Sequence, residues 1–274
     1  MGFREQLHQR TSKTAAALLF FATGLASGQT APAPPTSATE HSAASQAGLA
    51  RGIDLLKRHQ PQEALTAFEQ VVSAEPENEP ANLLAASAAL DIYEGETAVK
   101  YAEKAKQLAP DDWRVNTTLV AAYANAGHKQ QRDAERLLLH KLHEDPHAVE
   151  AAQSNGFLLE MFPAKKYRVD AIEYFHPLGK FHLYYRFLVR DAAGKRVWEF
   201  GLQSDDLNQA SWAKAHPQEA AAGKRQFSLQ GDGGGQHADY RLFSGDPDYD
   251  EVRAEVVRVV EGRSDPFPGE GAAH

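Results

Sequence analysis

The sequence predicts a protein of two parts, three helical hairpins followed by a small antiparallel α+β domain that closes with a helix. Two observations lead to this prediction. Alanines and prolines recur about every 34 residues in the N-terminal half, a spacing typical of stacked helical hairpins. The C-terminal half instead alternates apolar and polar residues with a period of two, as half-buried strands do. A chain of 274 residues, 42 % of them hydrophobic, is long enough to form both parts.

In the N-terminal half, Ala64 and Ala98 lie one such period apart, and so do Pro76 and Pro110. A small alanine lets the two helices of a hairpin approach closely. A proline after the second helix ends it, because proline cannot continue the hydrogen-bond ladder. The segments that precede each alanine carry apolar residues at helical spacing. This half is therefore predicted to consist of helix–turn–helix units.

A third copy of the unit is predicted from Ala134, Leu138 and Pro146. Ala134 follows Ala98 by one period and two further residues, so an insertion of that size is expected. We place it in the turn 127–131, where an insertion disturbs little. Together the three units predict a helical array over residues 45–153.

This pattern resembles the tetratricopeptide repeat (TPR) family, whose unit is a helix–turn–helix of about 34 residues. The resemblance covers about residues 45–147. The first position of the family motif, usually a tryptophan, is not matched by Gly48, Asn82 or Asn116. The residues that match are Gly52, Leu55, Ala64, Phe68 and Pro76 in the first unit, Ala86, Ala89, Ala98, Ala102 and Pro110 in the second, and Val120, Tyr123, Gly127, Ala134, Leu138 and Pro146 in the third.

The resemblance implies a concave groove, lined by the first helix of each hairpin, that holds a protein or peptide partner. Some family members clamp a terminal carboxylate there with Lys, Asn and Arg, but this clamp is missing here, so no chaperone-tail binding is predicted. Either an apolar segment of a partner fills the groove, or the C-terminal domain of the same chain packs against it. The predicted groove residues are Leu49, Ile53, Leu56, Leu83, Ser87, Leu90, Thr117, Ala121 and Asn125.

The C-terminal half predicts an antiparallel α+β domain over residues 155–262, for which no family resemblance is found. Asp246 is expected to cap a closing helix that starts at Pro247, presents one apolar stripe to the sheet and stops at Gly262. Residues 263–274 are predicted to be a disordered tail. The predicted strands are Tyr167–Phe175, Phe181–Val189, Val197–Leu202, Gln226–Gln230 and His237–Phe243.

The N-terminus has the pattern of an export signal. Basic residues precede the apolar run Ala15–Ala26, and small residues follow it, so residues 1–28 are predicted to be a signal peptide. The protein is then expected to be periplasmic or secreted. The run is too short for a stable membrane span, which needs about 20 apolar residues, and an uncleaved anchor is the alternative. Residues 29–44, rich in Ala, Pro, Ser and Thr, predict a disordered linker.

Several kinds of chemistry are disfavoured by the composition. The chain has no cysteine, which excludes disulfides, thiolate catalysis and cysteine zinc sites. A net charge of −8 without a basic stripe predicts no nucleic-acid partner. The glycine-rich segment 231–235 lacks the Gly-Lys-Ser/Thr of a phosphate loop and is interpreted as a hairpin tip.

The remaining polar groups each have an ordinary structural interpretation, so no catalytic residue, metal or cofactor is predicted. Three histidines near the end of the third unit are interpreted as a solvated helix face, Asp205 and Asp206 as a turn cap, and the tyrosines and tryptophans as core. A polar set on the sheet could support acid–base work only if it lined a pocket. The histidines are His140, His143 and His147, and the polar set is His182, Arg186, Glu199, His237, Asp239 and Arg241.

The sequence therefore predicts an exported, non-enzymatic scaffold or adaptor that binds a protein or peptide partner. The alternative is a ligand-binding or hydrolytic C-terminal domain for which the repeats serve as a platform. The two are distinguished by whether His182, Glu199 and His237 converge in one pocket.

Overall fold

The structure, a computed structural model, describes residues 43–178, 182–264 and 267. The predicted signal peptide and the linker up to residue 42 lie outside these residues. The first half contains α1 (Ala43–Lys57), α2 (Pro61–Ala74), α3 (Glu79–Asp91), α4 (Gly95–Leu108), α5 (Trp113–Ala126), α6 (Lys129–Glu144) and α7 (Val149–Gln153). The second half contains β1 (Gly156–Ala164), β2 (Tyr167–Leu178), β3 (Leu183–Arg190), β4 (Arg196–Ser204), α8 (Gln209–Ala215), α9 (Pro217–Ala221), β5 (Gln226–Gly233), β6 (Gln236–Ser244) and α10 (Tyr249–Gly262).

The predicted fold class is confirmed, since helices α1 to α6 pair as three hairpins and the strands form one antiparallel sheet in the order β1 to β6. Strands β2 to β6 cover the five predicted ones, except at the start of the second, since β3 begins at Leu183. Strand β1 and helices α8 and α9 were not predicted. Within the described part of the chain, every helix is too short or too polar to cross a membrane.

The turn inside each hairpin has the same geometry. His59, Tyr93 and Gly127, each one period after the last, adopt left-handed φ angles of 58°, 61° and 75°. In each turn the following N–H donates to the carbonyl five residues back, over 3.0, 2.9 and 2.9 Å. This is the Schellman arrangement, which ends a helix and satisfies its last carbonyls. This recurrence in the backbone shows that the period is the same in all three hairpins.

The connections between hairpins also repeat. Asn82 and Asn116 are almost fully buried and occupy the position where the family usually carries tryptophan. Their side-chain amides donate to the carbonyls of Pro76 and Pro110, each over 3.1 Å. A buried amide thus fixes the loop that enters the second hairpin and the loop that enters the third, because a buried polar group needs a partner.

The predicted two-residue insertion in the turn 127–131 is wrong. Helix α6 starts at Lys129, one period after the start of α4 at Gly95, and the additional residues lengthen α6 to 16 residues against 14 in α4. Consequently Ala134 is exposed and not at a helix contact. The residue equivalent to the buried Ala98 is Arg132, which is also buried.

One face of the sheet packs against α10 and α6. The predicted apolar stripe of the closing helix is confirmed, since Tyr249, Val252 and Val256 are fully buried in the hydrophobic core between the helices and the sheet. The predicted cap is wrong by two residues, because the carboxylate of Asp248 accepts the N–H of Glu251 over 2.7 Å and the helix starts at Tyr249. The proline at position 247 therefore precedes the cap.

The predicted disorder of the tail is wrong at Phe267, whose side chain is buried in the same core. Its ring stacks on Trp198 at a centroid distance of 5.4 Å and lies edge-on to Tyr167 at 5.2 Å. Aromatic pairs at such distances add stabilisation beyond burial alone. Phe267 therefore anchors the chain beyond α10.

The third hairpin is joined to the sheet and to α10 by ion pairs. Arg136 donates to both carboxylate oxygens of Glu173 over 2.6 and 2.8 Å, and His140 contacts the same carboxylate at 3.1 Å. Burial favours the neutral form of Glu173, but these partners outweigh it and lower its pKa. Arg132 forms a two-pronged pair with Asp250, over 2.8 and 3.2 Å, and this bond lowers the pKa of Asp250 to about 2.

Candidate partner-binding groove

The nine predicted groove residues lie on the first helices of the three hairpins, α1, α3 and α5. Their environments differ from one hairpin to the next. Those of the first hairpin are half-buried and apolar, those of the second are mostly buried, and those of the third lie next to strand β1 of the same chain. Each hairpin therefore contributes a different part of the candidate site.

In the first hairpin, Leu49, Ile53 and Leu56 pack against the repeat core yet keep part of their surface accessible. Their spacing of three and four residues places them on one side of α1. Half-buried leucine and isoleucine side chains offer apolar area to a further segment, at about 25 cal/mol for each Å² removed from water. This is the most accessible apolar part of the predicted groove.

In the second hairpin, Leu83 and Leu90 are only 5 % and 3 % exposed. They hold the repeats together and present little area to a partner. Between them Ser87 is half-buried, and its hydroxyl donates back to the carbonyl of Leu83 over 3.1 Å. The second hairpin therefore contributes a small, mildly polar surface.

In the third hairpin, the groove position is taken by the chain itself. The side-chain amide of Asn125 donates to the carbonyl of Met161 over 2.7 Å and accepts its N–H over 3.3 Å, as a neighbouring strand would. Met161 is 3 % exposed and belongs to the repeat core, against which Leu158 also packs. Ala121 is buried, whereas Thr117 stays half-buried. Strand β1 therefore occupies this end of the groove.

A polar cluster marks the boundary between the groove and the sheet. Arg168 of β2 donates to Asp91, the last residue of α3, over 3.1 Å, and to Asp170 over 2.6 Å. Burial raises the pKa of Asp91 above its ordinary value, although the guanidinium of Arg168 opposes that shift. Tyr93, 37 % exposed in its left-handed turn, lies next to this cluster.

The polar set predicted on the sheet is divided among separate partners. Glu199 accepts from Arg186 over 2.6 Å, His182 faces Asp206 at 3.3 Å, and His237 is 3.8 Å from Asp239 on β6. Arg241 pairs instead with Glu251 of α10 over 2.7 Å. His182, Glu199 and His237 thus each have their own partner and share no contact among the described residues.

Two of the three histidines predicted as a solvated helix face have structural surroundings instead, whereas His147 is exposed. His143 stacks on Phe175 at a centroid distance of 4.2 Å, and its Nδ1 lies 2.8 Å from the carbonyl of Ala151. His140 pairs with Glu173, and His147 is in the turn after α6. Among the described residues, no three His, Asp or Glu side chains are placed to hold a metal.

The geometry thus defines TPR-type helical repeats joined to an antiparallel sheet. No family model and no curated protein matches the chain. Solved structures similar to it include the second TPR domain of Spaghetti (RPAP3) bound to the HSP90 peptide SRMEEVD, with 18 % identity, a TM-score of 0.33, and 34 % of this chain and 86 % of that one covered. A second is the Arabidopsis OM64 TPR domain, with 17 % identity, a TM-score of 0.35, and 40 % of this chain and 92 % of that one covered. A third is the TPR protein TTC0263 of Thermus thermophilus, with 18 % identity, a TM-score of 0.31, and 40 % of this chain and 56 % of that one covered.

The sequence interpretation missed two features of the site. Strand β1 escaped because it is buried along nearly its whole length, so it lacks the alternation by which strands are found. The pairing of Asn125 with a strand could not be foreseen, since it joins residues 36 apart. One signal was present: asparagine at position 125 stands where the first two hairpins carry Lys57 and Asp91.

Proposed function

We propose that this protein is an exported scaffold that holds an apolar segment of a protein partner against the first two helical hairpins. The observation that carries this proposal is the contrast along the groove. At the third hairpin β1 fills the surface, whereas at the first hairpin Leu49, Ile53 and Leu56 keep accessible apolar area. Among the described residues, the chain itself thus fills the groove at the third hairpin, and a partner can occupy the surface of the first two hairpins.

A site-specific crosslink tests this proposal. A photo-crosslinking amino acid at Ile53, in the full chain expressed in its own cells, is expected to capture a defined polypeptide. The matched control is the same amino acid at Thr66, an exposed position on α2, the second helix of the same hairpin. Equal capture from both positions, or none from Ile53, would contradict the groove.

A second measurement separates binding from folding. Leu49→Glu with Ile53→Glu is expected to abolish co-purification of the captured partner, because charged side chains cannot bury against an apolar segment. Leu83 and Leu90 are unsuitable targets, since they are buried and their replacement would unfold the repeats. Circular dichroism of the double variant should match the parent, and Thr66→Glu serves as the control.

Export rests on the N-terminal pattern alone. The mature protein is proposed to start near Gln29 and to reside in the periplasm or outside the cell. N-terminal sequencing of the chain from the extracytoplasmic fraction tests this, and a chain that retains Met1 there would contradict cleavage. The proposal includes no catalytic step, in keeping with the separate partners of His182, Glu199 and His237.

A further inference from the structure

Cationic side chains gather at one end of the sheet. Because the strands run β1 to β6 in order, the turns β1–β2 and β3–β4 lie at the same end. The two turns and the adjoining strand ends carry six cations, and the carboxylates that neighbour them in sequence, in contact or in the strand register are five, in a chain of net charge −8. We name this surface the basic end. Its cations are Lys165, Lys166, Arg168, Arg190, Lys195 and Arg196, and the carboxylates are Asp91, Asp170, Asp191, Glu199 and Asp232.

Three arginines of the basic end lie side by side. In the strand register Arg168 is opposite Arg190, and Arg190 is opposite Arg196. Like charges directly opposite each other destabilise a sheet unless something offsets them. The fold offsets them only in part. Asp170 accepts from Arg168 and Arg190 over 2.6 Å each, and Glu199 accepts from Arg196 over 2.7 Å.

Donors remain for a ligand. A guanidinium carries five N–H donors. Arg190 uses Nε toward Asp170 and Nη1 toward the carbonyl of Gly194, and Arg196 uses Nη1 toward Glu199. Within the part of the chain that the structure describes, the other nitrogens of these two arginines contact no acceptor. The side chain of Arg196 is 38 % exposed, so these donors can be reached from solvent.

We infer that the basic end binds an acidic segment of a protein partner. Carboxylates suit guanidinium groups because the two form paired, charge-assisted hydrogen bonds. Asp170 and Glu199, placed between the arginines, would repel the closely spaced phosphates of a nucleic acid, while a peptide can place its carboxylates apart. The surface also continues from the groove, since Arg168 contacts both Asp91 of α3 and Asp170 of β2.

This inference deepens the proposed function and rests on it for the identity of the partner as a protein. A partner segment that leaves the apolar surface of α1 toward the sheet would meet Asp91 and Arg168 and then the arginine row. The partner is therefore expected to carry an apolar stretch followed or preceded by acidic residues.

Fluorescence anisotropy with labelled octaglutamate tests the inference on the full chain. Arg190→Gln with Arg196→Gln is expected to weaken binding about tenfold or more at low salt, and binding by the parent should fall as salt rises, because exposed charge pairs are screened. Arg58→Gln with Arg258→Gln is the control. It removes the same charge from two arginines that are each 66 % exposed elsewhere, and should change affinity less than about twofold.

A second variant guards against loss of structure, because Arg190 pairs with a buried carboxylate. Lys165→Gln with Lys195→Gln alters only exposed turn residues and should weaken octaglutamate binding several-fold. Unchanged affinity in both double variants overturns the inference, as does equal binding of octalysine. Tighter binding of an eight-residue oligothymidylate that responds to the same variants overturns the class of partner.

The two proposals can fail separately. Leu49→Glu with Ile53→Glu should leave octaglutamate binding unchanged, because these residues lie on α1 and not on the sheet. If crosslinking at Ile53 fails while octaglutamate still binds at the arginines, the groove is wrong and the basic end stands. The reverse result overturns the basic end alone.

Discussion

The second and third hairpins have the same backbone period but opposite chemistry at their contacts. In the second, Ala98, Ala102 and Ala105 are fully buried and let helices approach one another. In the third, the equivalent positions are Arg132, Arg136 and Leu139, and the arginines reach carboxylates of the sheet and of α10. A repeat can thus keep its turns and caps while its packing face changes from a site for another helix into a site for a different domain.

The largest effect on stability is expected when an arginine is introduced into the second hairpin, at the position equivalent to Arg132. Ala98→Arg would place a guanidinium at a fully buried position without a carboxylate, and would also overfill the contact. We expect a loss of about 4 kcal/mol or more in the free energy of unfolding, measured by urea denaturation. A surface control, Ala134→Arg, should change it by less than about 0.5 kcal/mol, because Ala134 is exposed.

Removing an arginine from the third hairpin should have the next largest effect. Arg136→Met leaves Glu173, whose side chain is 8 % exposed, without its two-pronged partner. We expect a loss of about 3 kcal/mol in urea denaturation at neutral pH. Adding Glu173→Gln to this variant should recover part of the loss, because the unpaired charge is then absent.

The effect of Arg136→Met should depend on pH. In the parent the lowered pKa of Glu173 stabilises the fold above the ordinary glutamate pKa, near 4.5, and this stabilisation is lost as the pH falls. In the variant burial dominates and the charged form is penalised. The free energies of unfolding of the parent and of the variant should therefore converge as the pH falls below about 5. A difference between them that does not change with pH would argue against Glu173 as the cause.

The contact between the groove and β1 should contribute less. Asn125→Ala removes both hydrogen bonds to the backbone of the buried Met161, for an expected loss of about 1 to 2 kcal/mol. Hydrogen exchange should accelerate at the Met161 amide. Thr117→Ala, at another groove position on the same helix, is the control, and equal losses in the two variants would contradict a specific role for the amide.

The smallest effect is expected from the repeated turn. Tyr93→Gly replaces a residue in the left-handed region by the one residue that adopts it freely, so a gain of about 1 kcal/mol is expected in thermal unfolding. Gly127→Ala, at the same position of the third hairpin, should lose a similar amount. A loss in Tyr93→Gly would show that contacts of the tyrosine near Asp91 outweigh the strain.

Whether a feature of this fold could be predicted from the sequence depends on how far apart in the chain its interacting residues lie. The spacing of Ala64 and Ala98 indicated the correct period because a helical hairpin depends on neighbours close in the chain. The third hairpin was placed two residues out of register, since Ala134 resembles the motif more closely than Arg132 does. The bidentate partner of that arginine is Asp250, 118 residues away. Strand β1, buried on both sides, lacked the alternation that reveals strands.

The candidate site was predictable in position but not in accessibility. The pattern of α1 correctly places Leu49 and Ile53 on one side of the helix, and the binding role of the nine residues stays a prediction. Burial of Leu83, Leu90 and Ala121 depends on neighbouring hairpins and on β1, which local spacing does not encode. The basic end could not be seen either, because it forms when two turns separated in the chain meet at one end of the sheet.

The charged contacts of the third hairpin also limit how the array can grow. A duplicate of that hairpin inserted earlier in the chain would bury Arg132 and Arg136 far from Asp250 and Glu173, whereas a duplicate of the second would carry alanines at the equivalent positions. Longer versions of this protein, natural or engineered, are therefore expected to gain repeats on the α1 side of the third hairpin. The third hairpin would be present once, unchanged, together with the sheet that it contacts.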